Sequence, residues 1–397
     1  MDFTKLISDR ARSVDSSGIR RVFELGAKMV DKIDLSIGQP HFKVPEPIKH
    51  AAARAVEHDH NAYTPTQGIP KLRERLAQHL EADVGWNIDP RAAADADPSR
   101  PGVMVCSGTA GALVLACLAV LDAGDEAIIP DPYFVMYPAL ATMLGAKAVR
   151  CDTYPDFRMT AERVAPLITA RTKLVLLNSP GNPSGVVASG RECAELEALC
   201  RSRGVLLISD EIYDEFTFSD AREVTSSRSK RCPSPARAAG SADGVLLIRG
   251  FGKTYGVTGW RLGYAAGPRA LIEQMCKLQQ YTFVCAPSPL QHGAAAALDV
   301  DMQSYIDEYQ RNRDLVVERL SSVTELATPG GAFYAFVKIP DRLGLTGAQF
   351  FEKARERKVL VVPGKEFSAR DTHFRLSFAT DRDNLARGLD VLVDLMR

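Results

Sequence analysis

One amine stands out among the residues able to do chemistry. Lys253 lies in Gly250-Phe251-Gly252-Lys253-Thr254-Tyr255-Gly256, and Val257-Thr258-Gly259-Trp260-Arg261 sets a guanidinium eight positions after it. A lysine that loses its proton is a nucleophile able to form a Schiff base with a carbonyl carbon. Most lysines are solvated and protonated, so the surroundings decide, and the glycine, aromatic and arginine punctuation sets this one apart. The preceding run Val245-Leu246-Leu247-Ile248 reads as a buried strand. The amine then stands at a strand's carboxyl end, where open α/β sheets bind ligands.

Other segments offer matching groups. Ser107-Gly108-Thr109-Ala110-Gly111 precedes the apolar helical run 112–121. Its N–H groups and two hydroxyls at a helix N-terminus suit a phosphate, although a Ser or Thr before a helix also serves as a plain N-cap. Asp210 follows the apolar run Val205-Leu206-Leu207-Ile208 in Ser209-Asp210-Glu211-Ile212-Tyr213. A carboxylate there can keep a pyridine nitrogen protonated and make the ring an electron sink, with Tyr213 in reach of a phenolic oxygen; an acidic helix start after a strand is the alternative. Arg375 interrupts an apolar strand pattern in Phe374-Arg375-Leu376-Ser377-Phe378. An unpaired guanidinium is costly to bury, so it calls for an anionic partner.

The lysine segment resembles the active-site segment of the class I/II pyridoxal-phosphate-dependent aminotransferases of fold type I. Asn178-Ser179-Pro180-Gly181-Asn182-Pro183-Ser184-Gly185 resembles that family's Asn-Pro-Thr/Ser-Gly signature, and the motifs keep the family's order from about residue 18 to 395. The resemblance implies that Lys253 holds pyridoxal 5'-phosphate as a Schiff base and acts as the general base. Ser107, Gly108, Thr109 and Arg261 then hold the phosphate, and Asp210 and Tyr213 meet the ring. It places Phe134 against the ring face, where a buried core phenylalanine is the other reading. Asn182 then touches cofactor and substrate, Arg375 takes the substrate carboxylate, and Ile37 and Gly38 form a flap. Tyr63 would reach the phosphate of a neighbouring subunit, which implies a homodimer with shared active sites. Gly252 and Gly250 depart from the serines that many relatives carry there, so one or two hydroxyl contacts to the phosphate are missing.

The implied reaction moves an amino group from an L-amino acid to a 2-oxo acid by ping-pong exchange. A neutral or apolar donor is expected, because Gln280-Tyr281-Thr282-Phe283-Val284-Cys285 and Ala110 stand where dicarboxylate-specific branches carry a cation. A distal carboxylate left unpaired is strongly disfavoured. A carbon–sulfur β-lyase using the same cofactor, and an aminotransferase-like effector-binding module, are the rival readings.

Positioning these groups takes a sheet whose strands end on one edge. Apolar runs at 127–129, 173–177, 205–208 and 245–248 alternate with helical patterns, which argues for a mostly parallel sheet covered on both faces. The fold class is therefore α/β, and the resemblance makes it a seven-stranded-type sheet in a large domain over 46–300. Residues 1–45 and 301–397 form a smaller α+β domain, with a helix near 301–320, a strand pattern at 332–337, a helix near 347–357, and strands Val359-Leu360-Val361-Val362 and 374–378. The Ser-, Arg-, Ala- and Pro-rich span 219–244 is expected to be a long exposed loop.

The chain has 397 residues, 46% hydrophobic and 25% charged, with formal net charge +0. No global charge draws it to nucleic acid or an anionic membrane, and the cluster Arg228-Ser229-Lys230-Arg231 reads as a solvated loop. Eight cysteines without a C-x-x-C pair point to a reduced, cytoplasmic protein, and no metal is expected. The start Met1-Asp2-Phe3-Thr4-Lys5 lacks the pattern of a signal peptide, and no apolar run approaches the ~20 residues that span a bilayer.

Overall fold

In a computed structural model, which describes residues 1, 3–91, 95–225 and 230–397, the apolar runs become strands of a single sheet. In chain order these are β1 (Gly102–Ser107), β2 (Glu126–Asp131), β3 (Lys147–Asp152), β4 (Thr172–Asn178), β5 (Leu206–Asp210), β6 (Val245–Gly250) and β7 (Leu262–Gly267). They lie in the order β1-β7-β6-β5-β4-β2-β3. Neighbours are parallel except around β7, which runs antiparallel to both β1 and β6.

Side chains alternate between two buried faces, which explains why the runs are apolar throughout. Val103, Val105, Val175, Leu177, Leu207 and Leu247 enter one core. Met104, Cys106, Leu174, Leu176, Ile208 and Ile248 enter the other, under the helix α2 (Gly108–Val120) that follows β1. At about 25 cal/mol per Å² such double burial is the main stabilising term of the sheet.

Register sets the functional edge. Asn178 pairs with Asp210, Asp210 with Ile248, Gly250 with Gly263, and Ser107 with Leu262. The carboxyl ends of β1, β4, β5 and β6 therefore stand side by side, and β7 starts beside them.

A third core gathers Val22 of α1 (Gly18–Ala27), Leu35, Tyr309 and Val316 of α3 (Gln303–Leu320), Phe333, Phe350, Phe374 and Leu389 of α4 (Arg382–Met396). Tyr213, Phe216 and Phe218 reach into it from beyond β5. Its three-stranded sheet has the order β8 (Tyr334–Lys338), β10 (His373–Ser377), β9 (Val362–Pro363), all antiparallel. On α4, leucines at 385, 389 and 392 face inward, and Asp381 caps the start by accepting from Asn384 N at 2.9 Å.

Two expectations are corrected. Val359-Leu360-Val361-Val362 is not one strand: Val359–Leu360 pairs in parallel with Ile33–Asp34, and after Val361 the chain joins β10 at Val362–Pro363. An apolar run buried on all sides carries no mark of which neighbour it pairs with. The span 219–244 is not an exposed loop throughout: residues 232–236 are buried. Ser234 donates to Glu211 at 2.6 Å, and Arg237 donates to Asp83 at 2.7 Å. Polar side chains that suggest solvent instead satisfy buried carboxylates. Of the basic cluster, Arg228 and Ser229 lie outside the described residues, and Lys230–Arg231 pairs with Glu223–Val224.

Beneath the functional edge Arg249 of β6, 2% exposed, reaches Asp83 at 2.7 Å, Glu211 at 2.8 Å and Asp214 at 3.2 Å. A buried guanidinium needs such partners, and Glu211, fixed here, adjoins Asp210. Among the described residues no helix is long and apolar enough to cross a membrane.

Candidate active site

Lys253 is placed by the end of β6. After Gly250 the chain makes one helical turn, Phe251–Thr254, anchored by the buried Phe251. A Cβ on Gly250 would lie 2.9 Å from Ile212 Cδ1 and 3.0 Å from Thr109 Cγ2, so a side chain there would have to push these two aside. The half-buried Lys253 donates from Nζ to the carbonyl oxygen of Gly38. Burial, with positive Arg375 and Arg261 nearby, pulls its pKa down to about 8. The neutral fraction near neutral pH, though still a minority, is far larger than that of an ordinary lysine, as a nucleophile or base requires.

Asp210, 3% exposed, ends β5. It accepts from Tyr137 Oη at 2.8 Å and from Ile212 N at 3.3 Å, and no cation among the described residues pairs with it. Burial pushes its pKa up to about 6. Tyr213, three residues on, has its hydroxyl 3.1 Å from that of Tyr334.

Arg375 enters from β10 and is 1% exposed. It donates to Asn182 Oδ1 at 3.0 Å and to the carbonyl of Ser36 at 2.9 Å, while its Nε has no partner. No carboxylate among the described residues pairs with it, and Tyr334 and Phe367 lie within 4.4 and 4.8 Å of its guanidinium carbon. The anion that the sequence calls for is not supplied by these residues.

At the start of α2, Ser107 makes no side-chain capping bond. Gly108 adopts φ +71°, and a Cβ on it would sit 2.7 Å from Arg261 Nη2, so the guanidinium packs directly against the helix N-terminus. Gly263 is equally tight, with its Cβ position 2.7 Å from Thr109 N. Arg261 itself holds φ +53°, a conformation costly for a residue with a Cβ.

These elements enclose a cavity of about 220 Å³ whose wall includes Gly38, Thr109, Phe134, Asn182, Asp210, Tyr213, Lys253 and Arg375. Ser107, Gly108 and Arg261 form the adjoining corner. Two residues stand apart: Ile37 is half-buried outside the wall, and Tyr63 is 85% exposed. The wall also holds Ile19, Tyr137, Asn178, Ile212 and Tyr334, which sequence reasoning did not single out. The phenols of Tyr137 and Tyr334 inside apolar runs were the available signal; Ile19 and Ile212 gave none. A larger cleft of about 760 Å³, lined by Tyr154, Phe157, Arg370 and His373 among others, contains none of the candidate residues.

The chain matches the family model "Aminotransferase class I and II" over residues 30–392. It is 35% identical to an aspartate aminotransferase of Pyrococcus abyssi, covering 98% of both chains. It is 31% identical to aromatic-amino-acid aminotransferase 2 of Thermococcus litoralis, again over 98% of both. Among solved structures, aspartate aminotransferase from Thermus thermophilus with maleate superimposes with a TM-score of 0.88 at 31% identity, covering 98% of this chain and 99% of that one. A match of this extent, on top of a fold-type I sheet, shows that the chain belongs to the class I and II aminotransferases and is a pyridoxal-phosphate-dependent transaminase.

Proposed function

We propose that the cavity at the sheet edge is the transamination site, with Lys253 as the covalent attachment point of pyridoxal phosphate. The observation that carries this reading is Arg375: a buried guanidinium with no carboxylate partner among the described residues, across one small cavity from a lysine of depressed pKa. The residues fit the cofactor. Asp210 is a buried carboxylate with no cation beside it among the described residues, suited to a protonated ring nitrogen, and the N-terminus of α2 with Arg261 packed against Gly108 gathers donors suited to a phosphate. When bound, the cofactor supplies a ring that draws off charge developing at the donor's Cα.

In this reading Arg375 and Asn182 orient the substrate α-carboxylate, Phe134 covers the ring face, and Tyr213 donates to the phenolic oxygen. Lys253 takes the proton from Cα. Donor and oxo acid both need the single guanidinium of Arg375, so each excludes the other, which supports ping-pong exchange. The cores described above support the division into 46–300 and 1–45 with 301–397. The eight free cysteines support a reducing, cytoplasmic setting.

A neutral or apolar donor is the further part of the proposal. Lys253 and Arg375 are the cations in the cavity wall, beside Ile19, Phe134 and Ile212. Lys277 bonds Gln274 at the surface, and Arg231 and Arg237 face Asp83 rather than the cavity. The test is kcat/KM for aspartate and glutamate against methionine, leucine, phenylalanine and kynurenine. Neutral donors are expected to lead by about tenfold or more, a preference of ~1.4 kcal/mol. Aspartate leading every neutral donor by that factor sinks the assignment.

We also propose a homodimer with shared sites, supported by Tyr63 and Tyr281, both 85% exposed in the single chain. Mixing the inactive variants Tyr63→Asp and Lys253→Ala under subunit exchange is expected to restore one site per mixed dimer. No recovery despite demonstrated exchange counts against it.

A further inference from the structure

Tyr334 begins β8 and is 1% exposed, yet it touches three parts of the site at once. Its hydroxyl lies 3.1 Å from that of Tyr213. Its ring lies 4.4 Å from the Arg375 guanidinium carbon. A Cβ on Gly38, whose carbonyl accepts from Lys253, would stand 2.9 Å from the Tyr334 hydroxyl. We propose that Tyr334 is a positioning residue for transamination, directing the Tyr213 proton into the cavity with its hydroxyl and bracing Arg375 with its ring. The proposal rests on the site reading above, in which Tyr213 meets the cofactor's phenolic oxygen and Arg375 the substrate carboxylate.

A phenol has one proton and accepts through its oxygen. In the Tyr213–Tyr334 pair only one hydroxyl donates to the other. If Tyr213 is to donate into the cavity it must be the acceptor within the pair, so Tyr334 is the donor. A hydroxyl that accepts one bond is polarised and donates the next more strongly, by about 10–30%.

The ring solves a different problem. Arg375 must be buried without a counter-ion so that its charge is available to a carboxylate, and burial alone disfavours that charge. A carboxylate from the protein would neutralise it and compete with substrate. An aromatic face stabilises a cation without supplying a counter-charge, and Tyr334 offers that face at the closest approach of any ring recorded for Arg375.

The experiment compares the holoenzymes of wild type, Tyr334→Phe, Tyr334→Leu, Tyr213→Phe and the double Phe variant. The pH midpoint of the bound cofactor's absorbance is read alongside KM for donor and oxo acid. Loss of a donor to the phenolic oxygen destabilises the form with unshared negative charge, so Tyr213→Phe is expected to raise the midpoint. Tyr334→Phe is expected to raise it in the same direction by roughly 0.1–0.7 pH unit, with no further rise in the double variant. Because the ring remains, KM stays within about twofold in Tyr334→Phe, whereas Tyr334→Leu raises it by roughly 3- to 30-fold. A wild-type midpoint in Tyr334→Phe beside a shifted one in Tyr213→Phe, or additive shifts in the double variant, overturns the hydroxyl's role. Unchanged KM in a folded Tyr334→Leu, or a rise above threefold in Tyr334→Phe, overturns the ring's. A midpoint unmoved by Tyr213→Phe overturns the underlying assignment of Tyr213 and this inference with it.

Discussion

Lys253→Ala is expected to lower turnover by roughly 10⁴- to 10⁶-fold, because in the proposed reading one side chain serves as both covalent anchor and base, and groups that act as a unit fail together. The fold should survive. In the folded protein Lys253 has its pKa lowered from 10.5 to about 8. A lysine so shifted binds its proton less tightly folded than unfolded, so its cost is full below about 8 and fades as pH rises toward 10.5. At neutral pH the shift corresponds to about 3 kcal/mol of strain that the alanine variant is freed from. Lost alkyl burial offsets part of this, about 0.8 kcal/mol per CH₂. The melting temperature of the cofactor-free variant should therefore equal or exceed wild type. Absorbance spectra and calorimetry check both halves, and a yellow variant with near-normal transamination would falsify the assignment.

Asp210→Asn is expected to slow the half-reaction at saturating amino acid by at least ~10²-fold. The amide can keep the bond from Tyr137, so the local structure holds, but it cannot pair as an anion with a ring nitrogen. Asp210 titrates near 6 in the cofactor-free protein because burial disfavours its charge. Below that pH the carboxyl must give up a proton before it can pair with a cationic ring, so cofactor affinity is expected to fall as pH drops through about 6. The asparagine variant should lose this dependence. Rapid-mixing absorbance measures the rate, and equilibrium titration the affinity. A rate within tenfold of wild type, under ~1.4 kcal/mol of barrier, assigns the role to another residue.

The sheet was legible where both faces of a strand are buried. The runs around 128, 175, 207 and 247 each became a strand of the sheet, extended by one to three residues. Lys147–Asp152 was not singled out because β3 is an edge strand, with Lys147 and Arg150 turned outward. Leu262–Gly267 was not singled out either, since its glycines and alanines carry little strand preference. The site was legible wherever a polar group interrupts an apolar run, as at Asp210 and Arg375. What stayed hidden is set by tertiary contact: Ile19 reaches the cavity from a helix more than two hundred positions before Lys253, and Ser234 is buried by its bond to Glu211.

The neighbours of Lys253 have a consequence for how the protein matures. Its acceptor Gly38 comes from near one end of the chain and Arg375 from near the other. In a half-made or unfolded copy neither is in place, and Lys253 is an ordinary amine, protonated in all but a small fraction near neutral pH and therefore slow toward aldehydes. The enhanced reactivity that follows from burial arises only when the two ends have closed on the sheet. In a copy that stalls on the way Lys253 competes for carbonyl compounds no better than any other lysine, so in the proposed reading a yellow colour marks chains that have completed assembly.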